Sequence, residues 1–315
     1  MNVIVVGAGA VGSLFGARLA SGGHHVTLVG RAAHVRAIQG GGLRVEGTAG
    51  GTFALDAVTD LAAAGPADAV LLTVKAFDLG SAAGALGRSL GPVPTLLTQN
   101  GLGIESGVLD ALRRAGWSRA EEWVVRAVHS VPATWLRPGV VRASGTGEVV
   151  LPDPASRGAL DASIKRFVEL LRGSGFSVRI AMDFEREVWR KVVVNAAINP
   201  VTALHGVPNG RLVEGPLHEE AEGLLAEALE VARAEGFAIG GDEAAGDLDR
   251  VLRATAENRS SMLQDIDRGR PTEIDAISGE LLRRGAEHGI DLPRTREAAR
   301  AVRARAAAGA PAPQA

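Results

Sequence analysis

Cysteine and tyrosine are both absent from the 315 residues, and Phe, Trp and Tyr together make up only 3% of them. Without cysteine there is no disulfide framework, no thiolate metal site and no thiol nucleophile. Charge of one sign is lacking too. Lys and Arg number 34 against 36 Asp and Glu, the formal net charge is -2 and no run of like charge stands out, which disfavours nucleic acid and anionic membranes as partners. Long apolar runs are missing as well. The opening MNVIVVGAGAVG has no cationic lead-in and is soon broken by glycines, so it reads neither as a signal peptide nor as a membrane span, and a cytoplasmic location is the expectation. What remains is a composition that is 46% hydrophobic and 22% charged, over a length that suits two compact domains.

The first half alternates short β-rich runs with glycine-rich or helical stretches. VIVVG (3–7), HVTLVG (25–30), LRVEG (43–47), AVLLTVK (69–75) and TLLTQNG (95–101) predict parallel strands buried on both faces with helical crossovers. VVRAVHSVPATW, GVVRASGTGEVVL and SVRIAMD read as further strands, the middle pair antiparallel around Arg137-Pro138-Gly139. From Asp183 strand signals vanish, and helices are expected over 218–236, 247–269 and 272–289. The division is therefore a Rossmann-like α/β dinucleotide-binding domain over 1–182, an all-α domain over 183–307 and a frayed tail over 308–315.

The loop Gly7-Ala8-Gly9-Ala10-Val11-Gly12 follows the first strand and opens a helical stretch. There Gly7 permits a tight turn, Gly9 admits a pyrophosphate close to the backbone, and Gly12 allows close packing of the helix, whose N-terminal N–H groups face the phosphates. After the second strand, where an NAD enzyme places Asp or Glu, the chain has Gly30-Arg31. An arginine offers its fork of donors to the extra phosphate of NADP(H); the alternative is an exposed loop arginine. Lys75 and Asn100 fall at the carboxyl ends of the fourth and fifth strands, the edge where ligands bind, although each could be a turn residue in solvent.

The stretch WRKVVVNAAINP (189–200) lies on a helix that Asp183 would cap, with Glu185 and Glu187 in its first turn. Lys191, Asn195 and Asn199 share an arc of about 80°, and Val192, Val193, Val194, Ala196, Ala197 and Ile198 cover the other directions. The helix is thus expected to be buried all round, with its one polar stripe facing a cavity or partners. Pro200 predicts a kink or helix end beside Asn199. A snorkelling lysine with asparagines bonded to neighbouring helices is the structural alternative. Asn258, Ser261 and Asp265 are expected on one helical face. Glu273 follows the break at Arg270-Pro271, with Thr272 and Asp275 resembling a capping box. Glu273 reads as counter-charge for a buried lysine, as a partner for a substrate hydroxyl, or as a plain helix-start acid.

Taken together, GAGAVG, VKAFD, QNG, WRKVVVNAAINPVTAL with Asn209-Gly210 after it, SSMLQDIDRGRPTEIDAISG and GIDLP resemble the ketopantoate reductase (2-dehydropantoate 2-reductase) family over nearly the whole chain. The resemblance implies a Rossmann-like domain, a helical domain and an active site in the cleft between them, where NADPH reduces ketopantoate to pantoate. It implies Lys191 as catalytic general acid and Glu273 as the family's acidic position. Asn195, Asn199 and Asn209 match positions that bind substrate hydroxyls or orient the lysine, and Ser261 and Asn100 match positions near the substrate carboxylate. Gly7 through Gly12, Arg31 and Lys75 match cofactor-binding positions, as do Asn100 and Glu273. Trp123, His129 and Trp135 are bulkier than the family's pattern before the Pro138-Gly139 hairpin, which bears on the choice of 2-oxo acid. His129 is equally readable as a core histidine.

Three functions stay in play. The first is reduction of ketopantoate, a small-molecule 2-oxo acid, by a cytoplasmic NADPH enzyme in pantothenate biosynthesis. The second is the same chemistry on another 2-oxo acid, and the third is a non-catalytic NADP(H)-binding sensor. No metal is implied, and a homodimer is left open.

Overall fold

Runs such as Val3–Val6 and Ala69–Leu72 contain no polar residue to turn toward water, so they form stable strands only where both faces are covered. The computed structural model, which describes residues 1–156 and 158–309, places them at the centre of a sheet. Of the tail expected to fray, the residues from 310 on lie outside the described ones. The chain divides into two units: Met1–Gln99 with Ile104–Phe184, and Asn100–Gly103 with the chain from Glu185 onward.

The first unit is α/β. Its strands are β1 (Asn2–Val6), β2 (His25–Val29), β3 (Leu43–Gly47), β4 (Gly51–Phe53), β5 (Asp56–Val58), β6 (Ala69–Leu72), β7 (Thr95–Leu97), β8 (Val124–Arg126), β9 (Val128–His129), β10 (Ala133–Arg137), β11 (Val140–Ala143), β12 (Glu148–Pro152) and β13 (Ser177–Ala181). Its helices are α1 (Ala10–Ser21), α2 (Ala32–Gly41), α3 (Leu79–Ser89), α4 (Ile104–Arg114) and α5 (Asp161–Gly173). Six strands form an all-parallel sheet in the order β5-β2-β1-β6-β7-β8. The chain leaves β1 toward β2 and later returns to β6 on the other side, so the topological switch point lies between the carboxyl ends of β1 and β6. Ligands of open α/β sheets bind at such a point.

One expected member of that sheet is elsewhere. β3 pairs in parallel with β11 and antiparallel with β4, in a second sheet ordered β10-β11-β3-β4. The physical reason is its alternation: Leu43 and Val45 are buried while Arg44 is exposed, a one-faced pattern unlike the apolar runs of β1 and β6. The short β5 takes the edge place instead. The hairpin around Pro138-Gly139 is antiparallel, as its sequence indicates. A third sheet is ordered β13-β12-β9.

The second unit is helical: α6 (Phe184–His205), α7 (Pro216–Ala234), α8 (Gly241–Ala254), α9 (Ser261–Asp267), α10 (Glu280–Glu287) and α11 (Pro293–Ala307). Arg186 and Arg190, one turn apart on α6, pair with Glu243 and Asp247, one turn apart on α8. Arg190 reaches Asp247 through Nε and Nη2, both at 2.9 Å. This ladder fixes the rotation of α6 about its axis, and the Arg186 hydrogen bond holds Glu243 below the usual carboxylate range. No helix among the described residues is long and apolar enough to cross a membrane.

The single helix expected over 247–269 is two helices, α8 and α9, with a break at 255–260. Ser260 caps α9, its Oγ accepting from the Leu263 N–H at 3.1 Å. Asn258 lies in that break, so it does not share a helical face with Ser261 and Asp265. The capping box of Thr272 and Asp275 does not form either. Thr272 Oγ1 accepts from the Ile274 N–H at 3.4 Å, Asp275 accepts instead from Arg303, and a π-helical turn over Asp275–Gly279 leads into α10.

Candidate active site

Three glycines of the loop after β1 meet different physical demands. Gly7 sits at φ +107, and a Cβ there would lie 2.6 Å from the Val74 backbone nitrogen. A Cβ at Gly12 would come within 2.3 Å of both Gly7 O and Thr73 Oγ1, so the start of α1 rests directly on the loop and on the end of β6. Both positions must be glycine for the fold itself. Gly9 differs, because a Cβ there meets nothing closer than Gly7 O at 3.9 Å. Its missing side chain leaves open space at the N-terminus of α1, where the first-turn N–H groups have no helical acceptor. Ala8, Ala10 and Val11 complete this cradle, with the Gly7 and Ala8 N–H groups anchored on Val29 O, both at 3.0 Å.

Arg31, two residues past the end of β2, is the exposed N-cap residue of α2, and Gly30 before it would set a Cβ 2.7 Å from that of Ala8. The arginine therefore starts from the rim of the same cradle. Lys75, half-buried, lies three residues past the end of β6 rather than at its last residue, as the N-cap of a short 3-10 turn. Two side chains that the sequence reading did not single out hold this rim. Thr73 Oγ1 donates to Gly7 O at 2.8 Å, and Gln99 Nε2 lies 2.8 and 2.9 Å from Leu72 O and Val74 O. Their signal was polar residues ending otherwise apolar strands.

Asn100 groups with the helical unit although β7, just before it, does not. Its Nδ2 lies 3.5 Å from Glu273 Oε2, which brings together two expected site residues 173 positions apart. Gly101, at φ +105, and the Leu102 N–H, donating to Ala276 O at 3.0 Å, seat this segment on the turn after Glu273. Glu273 is buried, one residue before the helical turn begins. In the link leading to it stand Arg268 and Arg270; burial, then the charge of Arg270, lowers the pKa of Arg268.

On α6 the expected burial is found. Val192, Val193, Val194, Ala196, Ala197, Ile198 and Asn199 are buried, and Lys191 and Asn195 are half-buried. The helix neither ends nor breaks at Pro200 but runs on to His205. Thr202 Oγ1 lies 2.8 Å from Ile198 O and 2.7 Å from Ser260 Oγ, which ties this turn to the cap of α9. Asn209 is buried at the start of a 3-10 turn, while Ser261, first residue of α9, is exposed.

The bulky residues before the hairpin sit in the α/β unit. Trp123 is half-buried, and its backbone carbonyl accepts from the Thr95 N–H at 2.7 Å. His129 Nε2 lies 3.1 Å from Thr98 O with its ring edge-on to Phe15, and Trp135 packs on the core of the α/β unit.

The α/β unit is of Rossmann type, the helical unit carries a lysine and two asparagines on one helix, and the family of the chain is one of oxidoreductases. The chain belongs to the ketopantoate reductase family: the model described as "Ketopantoate reductase PanE/ApbA" matches residues 3–156 and its C-terminal counterpart matches residues 183–306. It is 35% identical to a 2-dehydropantoate 2-reductase of Halobacterium salinarum, over 96% of this chain and 98% of that one. Among solved structures it resembles a PanE/ApbA family ketopantoate reductase from Ralstonia eutropha JMP134, with TM-score 0.83 and 34% identity over 98% and 99% of the two chains. It also resembles D-mandelate dehydrogenase in ternary complex with NADH and anilino(oxo)acetate, with TM-score 0.87 and 25% identity over 98% and 99%.

Proposed function

We propose that the protein reduces ketopantoate to pantoate with NADPH, with Lys191 as general acid. The observation that carries this reading is the half-buried Lys191 on a helix whose other directions are apolar and buried, in a chain whose relative is a 2-dehydropantoate 2-reductase. The Gly7–Gly12 cradle, with open space at Gly9, fits a dinucleotide diphosphate, and Arg31 at its rim fits the 2′-phosphate that distinguishes NADPH. Lys75 adds positive charge at the same sheet edge. When bound, the reduced nicotinamide supplies a hydride to the keto carbon. Lys191 gives its proton to the carbonyl oxygen as negative charge develops there, which turns the ketone into an alcohol, and the lysine regains a proton from solvent. Asn195, Asn199 and Asn209 orient the lysine or hold substrate hydroxyls, Ser261 and Asn100 serve the carboxylate, and Glu273 orients the lysine or a hydroxyl through its contact with Asn100.

A second reading, reduction of a different 2-oxo acid, is favoured by the likeness to D-mandelate dehydrogenase at TM-score 0.87. Initial rates of NADPH oxidation with ketopantoate and with 2-oxo-2-phenylacetate separate the two. Faster turnover of ketopantoate supports the first, turnover of the phenyl compound alone supports the second, and tight NADPH binding without turnover of either would leave a sensor. The NADH of that neighbour makes Arg31 the residue to test for cofactor choice. Arg31→Glu is expected to raise the KM for NADPH roughly 10-fold or more while leaving that for NADH within a few-fold, since one charge-assisted contact is worth about 1.5–3 kcal/mol. Equal losses with both cofactors would remove Arg31 from that role.

A further inference from the structure

Asn209 is 7% exposed, and its backbone N–H donates to Asn258 O at 2.9 Å. The next N–H, of Gly210, donates to Ala256 O at 2.9 Å, and a Cβ at Gly210 would lie 2.9 Å from that of Ala256. This turn is therefore seated tightly against the break between α8 and α9. Its side-chain amide is oriented as well. Asn209 Nδ2 lies 2.8 Å from Thr255 Oγ1, which in turn lies 2.7 Å from Val251 O.

A threonine hydroxyl carries one proton, and a backbone carbonyl can only accept. The Thr255 proton is thus committed to Val251 O, and toward Asn209 the hydroxyl can act only as an acceptor. The amide must then turn its NH2 group to Thr255, because the opposite orientation would set two acceptors face to face. Oδ1 is left on the other side, buried and without a hydrogen-bond partner. An unsatisfied buried carbonyl is costly enough that native proteins seldom keep one without a use for it.

We propose that Thr255 is a positioning residue that fixes the side-chain amide of Asn209 with its oxygen as the acceptor offered to the substrate hydroxyl. The inference rests on the ketopantoate reading, in which Asn209 serves the substrate. It adds the polarity of that contact: an amide oxygen receives a hydrogen from a hydroxyl and repels a carboxylate, so the acid group of the substrate is held elsewhere.

The test compares ketopantoate with 3,3-dimethyl-2-oxobutanoate, which lacks only the hydroxyl, on the wild type, Thr255→Val and Thr255→Ser, with melting temperatures measured alongside. Wild-type activity on ketopantoate tests the underlying reading by itself, and its absence overturns that reading. Given that activity, Thr255→Val is expected to raise the KM for ketopantoate roughly 10-fold, as loss of one oriented hydrogen bond does, with kcat within about twofold. The KM for the deoxy compound stays unchanged, and Thr255→Ser, which keeps the hydroxyl, behaves as wild type. Equal losses on both substrates, or no change on either, overturn the positioning role while leaving the reductase reading intact. If Thr255→Val does not fold, Thr255→Ala is measured with the same pair and the same ratio decides.

Discussion

At the scale of single residues, the glycine loop separates two positions closed by packing from one that borders open space, where the proposed function seats the cofactor's diphosphate. Gly7 and Gly12 are hemmed in by backbone and by Thr73, whereas Gly9 borders open space in an extended conformation that any residue adopts. Gly12→Ala is therefore expected to cost about 1–3 kcal/mol of stability, as forcing a carbon into a filled site does. Gly9→Ala is expected to keep the wild-type melting temperature and to weaken NADPH binding roughly 10-fold. Thermal melts and cofactor titrations of the two variants check the pair, and matched effects would contradict the division. His34 yields a pH dependence. It is 4% exposed, its Nδ1 accepts from the Gly139 N–H at 2.9 Å and its Nε2 lies 3.0 Å from Ser13 Oγ, so the neutral ring donates to Ser13. Burial lowers its pKa from the ordinary 6.5. A lowered folded value means that the unfolded chain takes up the proton first. The stability contributed is complete above about pH 6.5 and is lost as pH falls through the folded value. Melts between pH 5 and 8 should show that loss in the wild type and a flatter profile in His34→Gln; identical profiles would refute it.

At the scale of elements, periodicity and apolar runs were enough where packing is simple. β1, β2, β6 and β7 stand where their Val- and Leu-rich runs indicate, and the all-round burial of α6 follows from residues 192–198 alone. Sequence spacing fails where a local polar contact decides. A single helix over 247–269 is interrupted because Ser260 caps α9, and the box expected at Thr272 does not form because Asp275 pairs with Arg303 on α11, a partner that spacing cannot reveal. β3 was misplaced although its alternation of Leu43 and Val45 with Arg44 was visible. Among candidate site residues, the tight turn at Gly7 and the close packing at Gly12 are legible in the sequence because both are set locally. The approach of Asn100 to Glu273 was not, because it depends on a four-residue segment grouping with helices far along the chain. That segment carries its own prediction. Gly101→Ala would place a Cβ 2.3 Å from Ala276 O at a positive φ, so it should shift Asn100 off Glu273, lower kcat/KM for the keto acid and weaken NADPH binding, because both residues match cofactor positions as well. Unchanged kcat/KM and unchanged NADPH affinity would show that the Asn100–Glu273 contact serves neither ligand.

At the scale of the whole molecule, the proposed function divides the chemistry between the two units by type. On that proposal the backbone N–H groups, Arg31 and Lys75 of the α/β unit, at the edge that carries the switch point, meet the cofactor's phosphates, and Lys191, the amides and Glu273 of the helical unit meet the carbonyl and hydroxyls of the substrate. The family models match residues of both units. The most direct test follows the nicotinamide absorbance with NADPH and ketopantoate for wild type and Lys191→Ala. Rapid oxidation by the wild type, a fall in kcat of roughly 10²-fold or more in the variant and unchanged NADPH affinity are the predicted result. Wild-type enzyme that leaves ketopantoate untouched, or a variant that turns it over at the wild-type rate, would contradict the account.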